Sequence, residues 1–156
     1  MAERTFVMLK PDAVQRRLVG RILQRFEQKG LSIVGLKLID MPRAKAEELY
    51  SVHKGRPFYG SLVDFVTASP VAVMAIEGNQ AIAVVRKLLG ATFGFNAEPG
   101  TIRGDFGISN QFNLIHGSDS PESAAREIGI YFKPQEIIDY EMVDQAYQTL
   151  LQHETR

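Results

Sequence analysis

The run Asn113-Leu114-Ile115-His116-Gly117-Ser118-Asp119-Ser120 puts an imidazole at the end of a short apolar, strand-like stretch. Gly follows it, then Ser and Asp side chains able to cap a next helix. A neutral histidine is a competent nucleophile when a hydrogen bond orients its second ring nitrogen. Glu127 lies two turns into the expected helix, placed so that its side chain can point back toward His116. In a second run, Pro99-Gly100-Thr101-Ile102-Arg103-Gly104-Asp105-Phe106, two glycines bracket Arg103 and leave the backbone open to an anion. With Arg86 on the preceding helix and Thr92 at the loop entrance, this run can form a phosphate cradle. The guanidinium fork suits a terminal phosphate, and the hydroxyl adds a donor. Lys10, in Lys10-Pro11-Asp12, places a cation at the end of the first strand, and Tyr50 and Phe58 follow the second helix. Plainer readings stand beside these: a histidine satisfied at a strand end, Arg103 salt-bridged in a turn, a solvated Lys10, and Tyr50 and Phe58 as core. The basic run Arg16, Arg17, Arg21, Arg25 reads as a solvated helix face.

Other chemistries lack their residues. The chain has neither G-x-x-x-x-G-K-[ST] nor G-x-G-x-x-G, so neither a P-loop nor a dinucleotide fingerprint is present. Asp105-Phe106-Gly107 spells a protein-kinase tripeptide, but no H-R-D loop accompanies it. The three histidines form no i, i+4 pair, so no dedicated metal cage is expected. With no cysteine, disulfides, thiolate zinc sites, iron–sulfur clusters and cysteine nucleophiles are excluded together. Eighteen basic residues balance eighteen acidic ones, so no global field recruits nucleic acid or an anionic membrane. Eleven of the eighteen basic residues are Arg, the side chain best shaped for bidentate phosphate contacts. At 156 residues, 45% hydrophobic and 23% charged, the composition is that of one ordinary globular domain. No signal-peptide stretch and no membrane-length apolar run is seen, and the expected location is the cytoplasm.

The elements that must carry these residues follow from apolar periodicity. Thr5 to Leu9 reads as a buried strand, and Asp12 can cap a helix with Val14, Leu18, Ile22 and Phe26 inward until Gly30. Leu31 to Ile39 alternates as a strand, Pro42 opens a second helix, and Tyr59 to Ala68 reads as a third. Val71 to Ile76 is the clearest buried strand, and Asn79 can cap a helix ending at Gly90. From Ala91 to Phe112 periodicity disappears; such a loop of about twenty residues exceeds the usual length of roughly 4–6 and is more often functional than filler. Asn113 to His116 reads as a strand, Pro121 starts a helix, and the chain from Lys133 reads as helical and peripheral. The order implies an α/β (α+β) sandwich of ferredoxin-like type, with helices on one face of the sheet.

Together these runs resemble the nucleoside diphosphate kinase family, from Glu3-Arg4-Thr5-Phe6 to about Tyr140. The resemblance rests on Lys10-Pro11-Asp12, Arg56-Pro57-Phe58, the Pro99–Phe106 run and Asn113-x-x-His116-Gly117-Ser118-Asp119-Ser120. It implies a ferredoxin-like βαββαβ core with an antiparallel sheet, and ping-pong transfer of a γ-phosphate from a nucleoside triphosphate to a diphosphate. It also implies that His116 is phosphorylated on Nδ1, that Glu127 holds the other ring nitrogen, and that Ser118 supports Glu127. Lys10, Arg86, Thr92 and Arg103 match phosphate contacts, with Tyr50 steadying Lys10. Asn113 and Lys10 match the ribose contacts, and Phe58 the aromatic that stacks on the base. Mg²⁺ is expected to ride in on the nucleotide phosphates rather than in a protein site. A homo-oligomer is expected, a hexamer ahead of a tetramer or dimer, with no membrane and no nucleic acid required.

Three departures from the family pattern stand out. Phe93-Gly94 replaces the usual Asn-Pro after Thr92, in a loop that takes part in the family's subunit contacts. Asn110-Gln111-Phe112 stands where the family has an apolar residue and Gly-Arg before the Asn. Residues 141–156 form an extension beyond the domain at 1–140, with Met142, Ala146 and Leu150 spaced for an amphipathic helix. Two rival functions, a non-catalytic binding module and a histidine phosphocarrier in a relay, fit less well. His116, Glu127 and Lys10 are all present, and a relay needs no base platform.

Overall fold

The computed structural model describes residues 2–147. Its order is β1 (Glu3–Leu9), α1 (Pro11–Gln15), α2 (Val19–Gln28), β2 (Ser32–Ile39), α3 (Arg43–Leu49), α4 (Tyr59–Thr67), β3 (Val71–Gly78), α5 (Ala81–Leu89), α6 (Ile102–Phe106), β4 (Ile115–Gly117) and α7 (Pro121–Tyr131). The four strands form one sheet in the order β2-β3-β1-β4, with every neighbouring pair antiparallel. This is the ferredoxin-like βαββαβ arrangement, with α3, α4, α6 and α7 added. The central strands pair Phe6 with Ala75 and Met8 with Val73, and on the other side Met8 faces His116 across β1 and β4.

Both faces of the sheet are covered, which corrects the expectation of helices on one. Val7, Leu9, Met74 and Ile76 pack under Ile22 and Phe26 of α2 and Val85 and Leu89 of α5. Phe6, Met8, Val73 and Ala75 pack against Ala46 and Leu49 of α3, Val63 and Val66 of α4, and Tyr131 of α7. The near-continuous apolar runs of β1 and β3 have this cause, since a strand buried on both faces loses its polar alternation. Burying one such aliphatic or aromatic side chain is worth roughly 1.5–3 kcal/mol.

Several local expectations change. The first helix is two: Arg17, at φ +59°, breaks it between α1 and α2, and Lys10 rather than Asp12 is the N-cap. Helix α5 is not capped by Asn79; Gln80 enters it in the left-handed region, and Glu3 Oε1 accepts the Ile82 N–H at 2.7 Å. Ser120, not Ser118 or Asp119, caps α7, accepting the Ser123 N–H at 3.1 Å ahead of Pro121.

The stretch 91–112 contains a 3₁₀ turn at Gly94–Asn96 and the short helix α6, whose Thr101 Oγ1 accepts the Gly104 N–H at 3.0 Å. From Lys133 the chain makes one 3₁₀ turn at Pro134–Glu136 and then runs as a strap along β2 rather than as a helix. Ile138 N–H donates to the Val34 carbonyl and Tyr140 hydroxyl to the Ile33 carbonyl, both at 2.8 Å, so the edge of β2 captures this backbone. Of the amphipathic helix expected on Met142, Ala146 and Leu150, positions 145–147 are helical, Met142 is not, and Leu150 lies outside the described residues.

Candidate active site

His116 sits on edge strand β4, where pairing with β1 fixes its backbone beside Met8. Its Nε2 lies 2.6 Å from Glu127 Oε1 and 3.2 Å from Oε2. Glu127 is 3% exposed, on the face of α7 that packs against the sheet. Ser118 hydroxyl donates to Glu127 Oε2 at 2.8 Å, so two donors converge on one buried carboxylate. A carboxylate only accepts, which assigns the proton of the His116 bond to Nε2 and the lone pair to Nδ1. Nδ1 makes no hydrogen bond among the described residues. The imidazole is flanked by Phe6 and, edge-on, by Tyr50, each with its ring centre 6.0 Å away.

The expected cations gather nearby. Lys10 is buried and donates from Nζ to Asn113 Oδ1 at 2.9 Å; burial, then the charge of Arg103, lowers its pKa to about 8. Asn113 in turn donates from Nδ2 to the Thr92 carbonyl at 2.9 Å. Arg103 is 5% exposed and donates to three carbonyls: Ile115 at 2.6 Å, Gly90 at 3.1 Å and Asn113 at 3.4 Å. Burial, then Arg86, lowers its pKa to about 10, which leaves a cation at neutral pH. Arg86 reaches the Gly117 carbonyl at 3.4 Å, one residue from His116.

Tyr50 makes no hydrogen bond to Lys10: its buried hydroxyl has no partner among the described residues, and burial holds the phenol protonated. Phe58 is the residue before α4, half exposed, with its ring 5.3 Å from His53 and edge-on to it.

Two departures from the family pattern acquire a physical reason. Gly94 is buried against Gly107, and a Cβ there would stand 2.9 Å from the Gly107 carbonyl carbon, so the close approach of the loop's two arms requires it. Gln111 donates to the Ser61 carbonyl at 3.3 Å and Phe112 packs edge-on to Phe65 at 5.0 Å, which ties 111–112 to α4.

Other residues of the site were not legible as such. Arg16 donates to the Phe106 carbonyl at 2.7 Å, and Arg25 donates to the Gly100 carbonyl at 2.7 Å and to Asp105 at 2.5 Å. Both therefore pin the Arg103 run rather than forming only a solvated face, and their helical spacing gave no sign of it. Asp12 accepts the Leu114 N–H at 3.1 Å, and Leu114 stands at φ +74°. Such a backbone costs roughly 1–3 kcal/mol for a residue other than glycine.

Among the described residues no three His, Asp or Glu side chains converge to hold a metal ion, and no helix is long and apolar enough to cross a membrane. The donor set is cationic and amide-rich, which suits phosphate oxygens and not a bare cation.

An antiparallel α+β sandwich whose edge strand carries a carboxylate-held histidine among buried cations has the fold and site of a phosphotransferase. The chain matches the family described as nucleoside diphosphate kinase over residues 3–137. A nucleoside diphosphate kinase of Synechococcus sp. is 57% identical over 148 residues, covering 95% of this chain and 98% of that protein. The structure of a halophilic nucleoside diphosphate kinase from Halobacterium salinarum in complex with CDP superposes with a TM-score of 0.92 at 46% identity, over 94% of this chain and 98% of that one. A transition-state mimic of the Borrelia burgdorferi nucleoside-diphosphate kinase, with bound vanadate and ADP, gives 0.90 at 36% identity, over 95% and 97%. The chain belongs to the nucleoside diphosphate kinase family.

Proposed function

We propose that this chain transfers the γ-phosphate of a nucleoside triphosphate to a nucleoside diphosphate in two half-reactions through phosphorylated His116. The observation that carries this reading is the Glu127 bond at Nε2, which leaves the nucleophilic lone pair on Nδ1. In the first half-reaction Nδ1 forms a bond to the γ-phosphorus, the bond from phosphorus to the bridging oxygen breaks, and the nucleoside diphosphate leaves with that oxygen. As Nδ1 gains its bond the ring becomes cationic, and Glu127, held by Ser118, stabilises that charge. The second half-reaction reverses the first with a different diphosphate.

Phosphoryl transfer asks for positioning and charge neutralisation more than for covalent machinery from the protein. Arg86, Arg103, Lys10 and Thr92 supply the phosphate contacts, Lys10 and Asn113 the ribose contacts, and Tyr50 shapes the wall beside the imidazole. Phe58 stacks on the base, and a half-exposed ring accepts any base because every base has a π-face. Mg²⁺ enters as part of the nucleotide substrate, keeping several waters, in accord with the cationic donor set.

Residues 1–140 form the kinase domain and 141–156 an extension. The family resemblance supports a cytoplasmic homo-oligomer, a hexamer ahead of a tetramer or dimer. Initial rates with ATP varied at several fixed GDP concentrations test the two-step scheme. Parallel double-reciprocal lines are expected, and lines that intersect would mean direct transfer in a ternary complex.

A further inference from the structure

Leu114 is the strained point of the site. Its φ is +74°, and across it the Ile115 N–H donates to the Asn113 carbonyl at 2.9 Å, which together define a γ-turn of the rare hand. A fully buried leucine has no intrinsic preference for that backbone, so its neighbours must impose it. Lys10 N–H donates to the Leu114 carbonyl at 2.8 Å, one step beyond the last paired residues of β1 and β4. The Leu114 N–H donates to Asp12 Oδ2 at 3.1 Å, the one side-chain hydrogen bond made to Leu114 among the described residues.

What flanks the turn gives the bond its consequence. On one side Asn113 accepts from Lys10 Nζ, donates to the Thr92 carbonyl, and offers its own carbonyl to Arg103. On the other, His116 follows after Ile115. A change in the turn therefore moves Asn113 and His116 relative to Lys10. Asp12 lies in the first turn of α1 and is not its N-cap, which is Lys10. Its second oxygen, Oδ1, is buried and has no hydrogen-bond partner among the described residues. Burial raises its pKa against the opposing charge of Lys10, so the group is held in a costly setting.

We propose that Asp12 is a positioning residue for phosphoryl transfer: its Oδ2 latches the Leu114 turn and thereby holds Asn113 and His116 in register with Lys10. The proposal rests on the assignment of His116 as the phosphorylated group.

Single-turnover labelling of the full chain with γ-labelled ATP and Mg²⁺ tests it, in wild type, Asp12→Ala, Asp12→Asn and His116→Ala. Asn keeps an acceptor oxygen at nearly constant volume, and Ala removes it. Asp12→Ala is expected to label about 10²-fold more slowly, as a misplaced nucleophile does, with the ATP concentration for half-maximal rate little changed. Asp12→Asn is expected to label within about fivefold of wild type, since its amide oxygen keeps an acceptor for the Leu114 N–H. A purely structural role would instead lower the labelled fraction or the urea midpoint and leave the rate of folded molecules unchanged.

Wild-type rates in folded Asp12→Ala, with His116→Ala unlabelled, overturn the latch alone. Equal slowing in both Asp12 variants overturns it too, because the charge and not the acceptor would then matter. Where Asp12→Ala does not fold, Asp12→Asn decides: labelling within about fivefold upholds the latch, and slowing of about 10²-fold overturns it. Label on His116→Ala overturns the assignment of His116 itself, whatever the Asp12 variants do.

Discussion

Glu127 holds His116 through Nε2 at 2.6 Å, and the Ser118 hydroxyl holds the other carboxylate oxygen at 2.8 Å. The carboxylate is 3% exposed, so its charge acts on the imidazole with little water between them. Glu127→Gln keeps the shape and removes the charge, and its amide can also present a donor to Nε2 and reverse the tautomer. Turnover is expected to fall about 10²-fold, the scale of losing one electrostatic partner at a reacting centre. Ser118→Ala should cost only about three- to tenfold, the scale of one ordinary hydrogen bond. Steady-state kcat with ATP and GDP measures both, and an unimpaired Glu127→Gln enzyme would remove the carboxylate from the chemistry.

Lys10 gives the reaction a pH limit. Its pKa is lowered to about 8, so the nucleotide-free protein carries this cation below pH 8 and loses it above. Because kcat/KM reports the free enzyme, it should fall as pH rises through about 8. Bound phosphate favours the charged form, so kcat should stay level to higher pH. For stability the sign is the reverse: between about 8 and 10.5 the unfolded chain binds the extra proton, so Lys10's contribution to stability improves as pH rises. A kcat/KM profile flat to pH 9.5 would contradict the assignment of Lys10 as a phosphate contact.

Phe58 is 49% exposed, so truncating it should leave the fold intact. Phe58→Ala is expected to raise KM for nucleotides about 5- to 150-fold, with kcat affected less, the span of one base-stacking contact of roughly 1–3 kcal/mol. Titration of GDP and of CDP into the variant measures it. Unchanged affinity for both would mean the base is held elsewhere.

Arg103 is expected to serve two purposes at once. Arg103→Ala should lower kcat by about 10²-fold or more and also destabilise the fold, because three carbonyls lose their donor. Arg103→Lys keeps the charge and cannot fork to all three, so it should recover part of the activity and little of the stability. Kinetics and urea melts of the pair separate the two contributions. Equal kcat in Arg103→Lys and Arg103→Ala would assign Arg103 to structure alone.

What could be read from the chain was whatever lay in local pattern. The apolar runs of β1 and β3, the helix stop at Gly30, the helix start at Pro121, and the spacing of His116 to Glu127 are properties of neighbours in sequence, and the structure keeps them. What could not be read came from partners far along the chain. Glu3 caps a helix that begins at Ala81, and Arg16 and Arg25 reach the 100–106 run; no local window contains either pair. Arg17 and Leu114 adopt positive φ with none of the glycine or asparagine signature that announces it, so the helix break and the turn beside the nucleophile were both invisible. The one-face expectation fails for a different reason: β1 and β3 are buried on both faces, and the second face is covered by α3, α4 and α7, which lie outside these strands' own local pattern.

The most direct measurement is to mix the full chain with γ-labelled ATP and Mg²⁺, isolate the protein, and add unlabelled GDP. Acid-labile, alkali-stable label should appear on His116, chase into GTP, and be absent from His116→Ala. Label that forms but transfers to no nucleoside diphosphate, or transfer that survives loss of His116, would contradict the two-step mechanism.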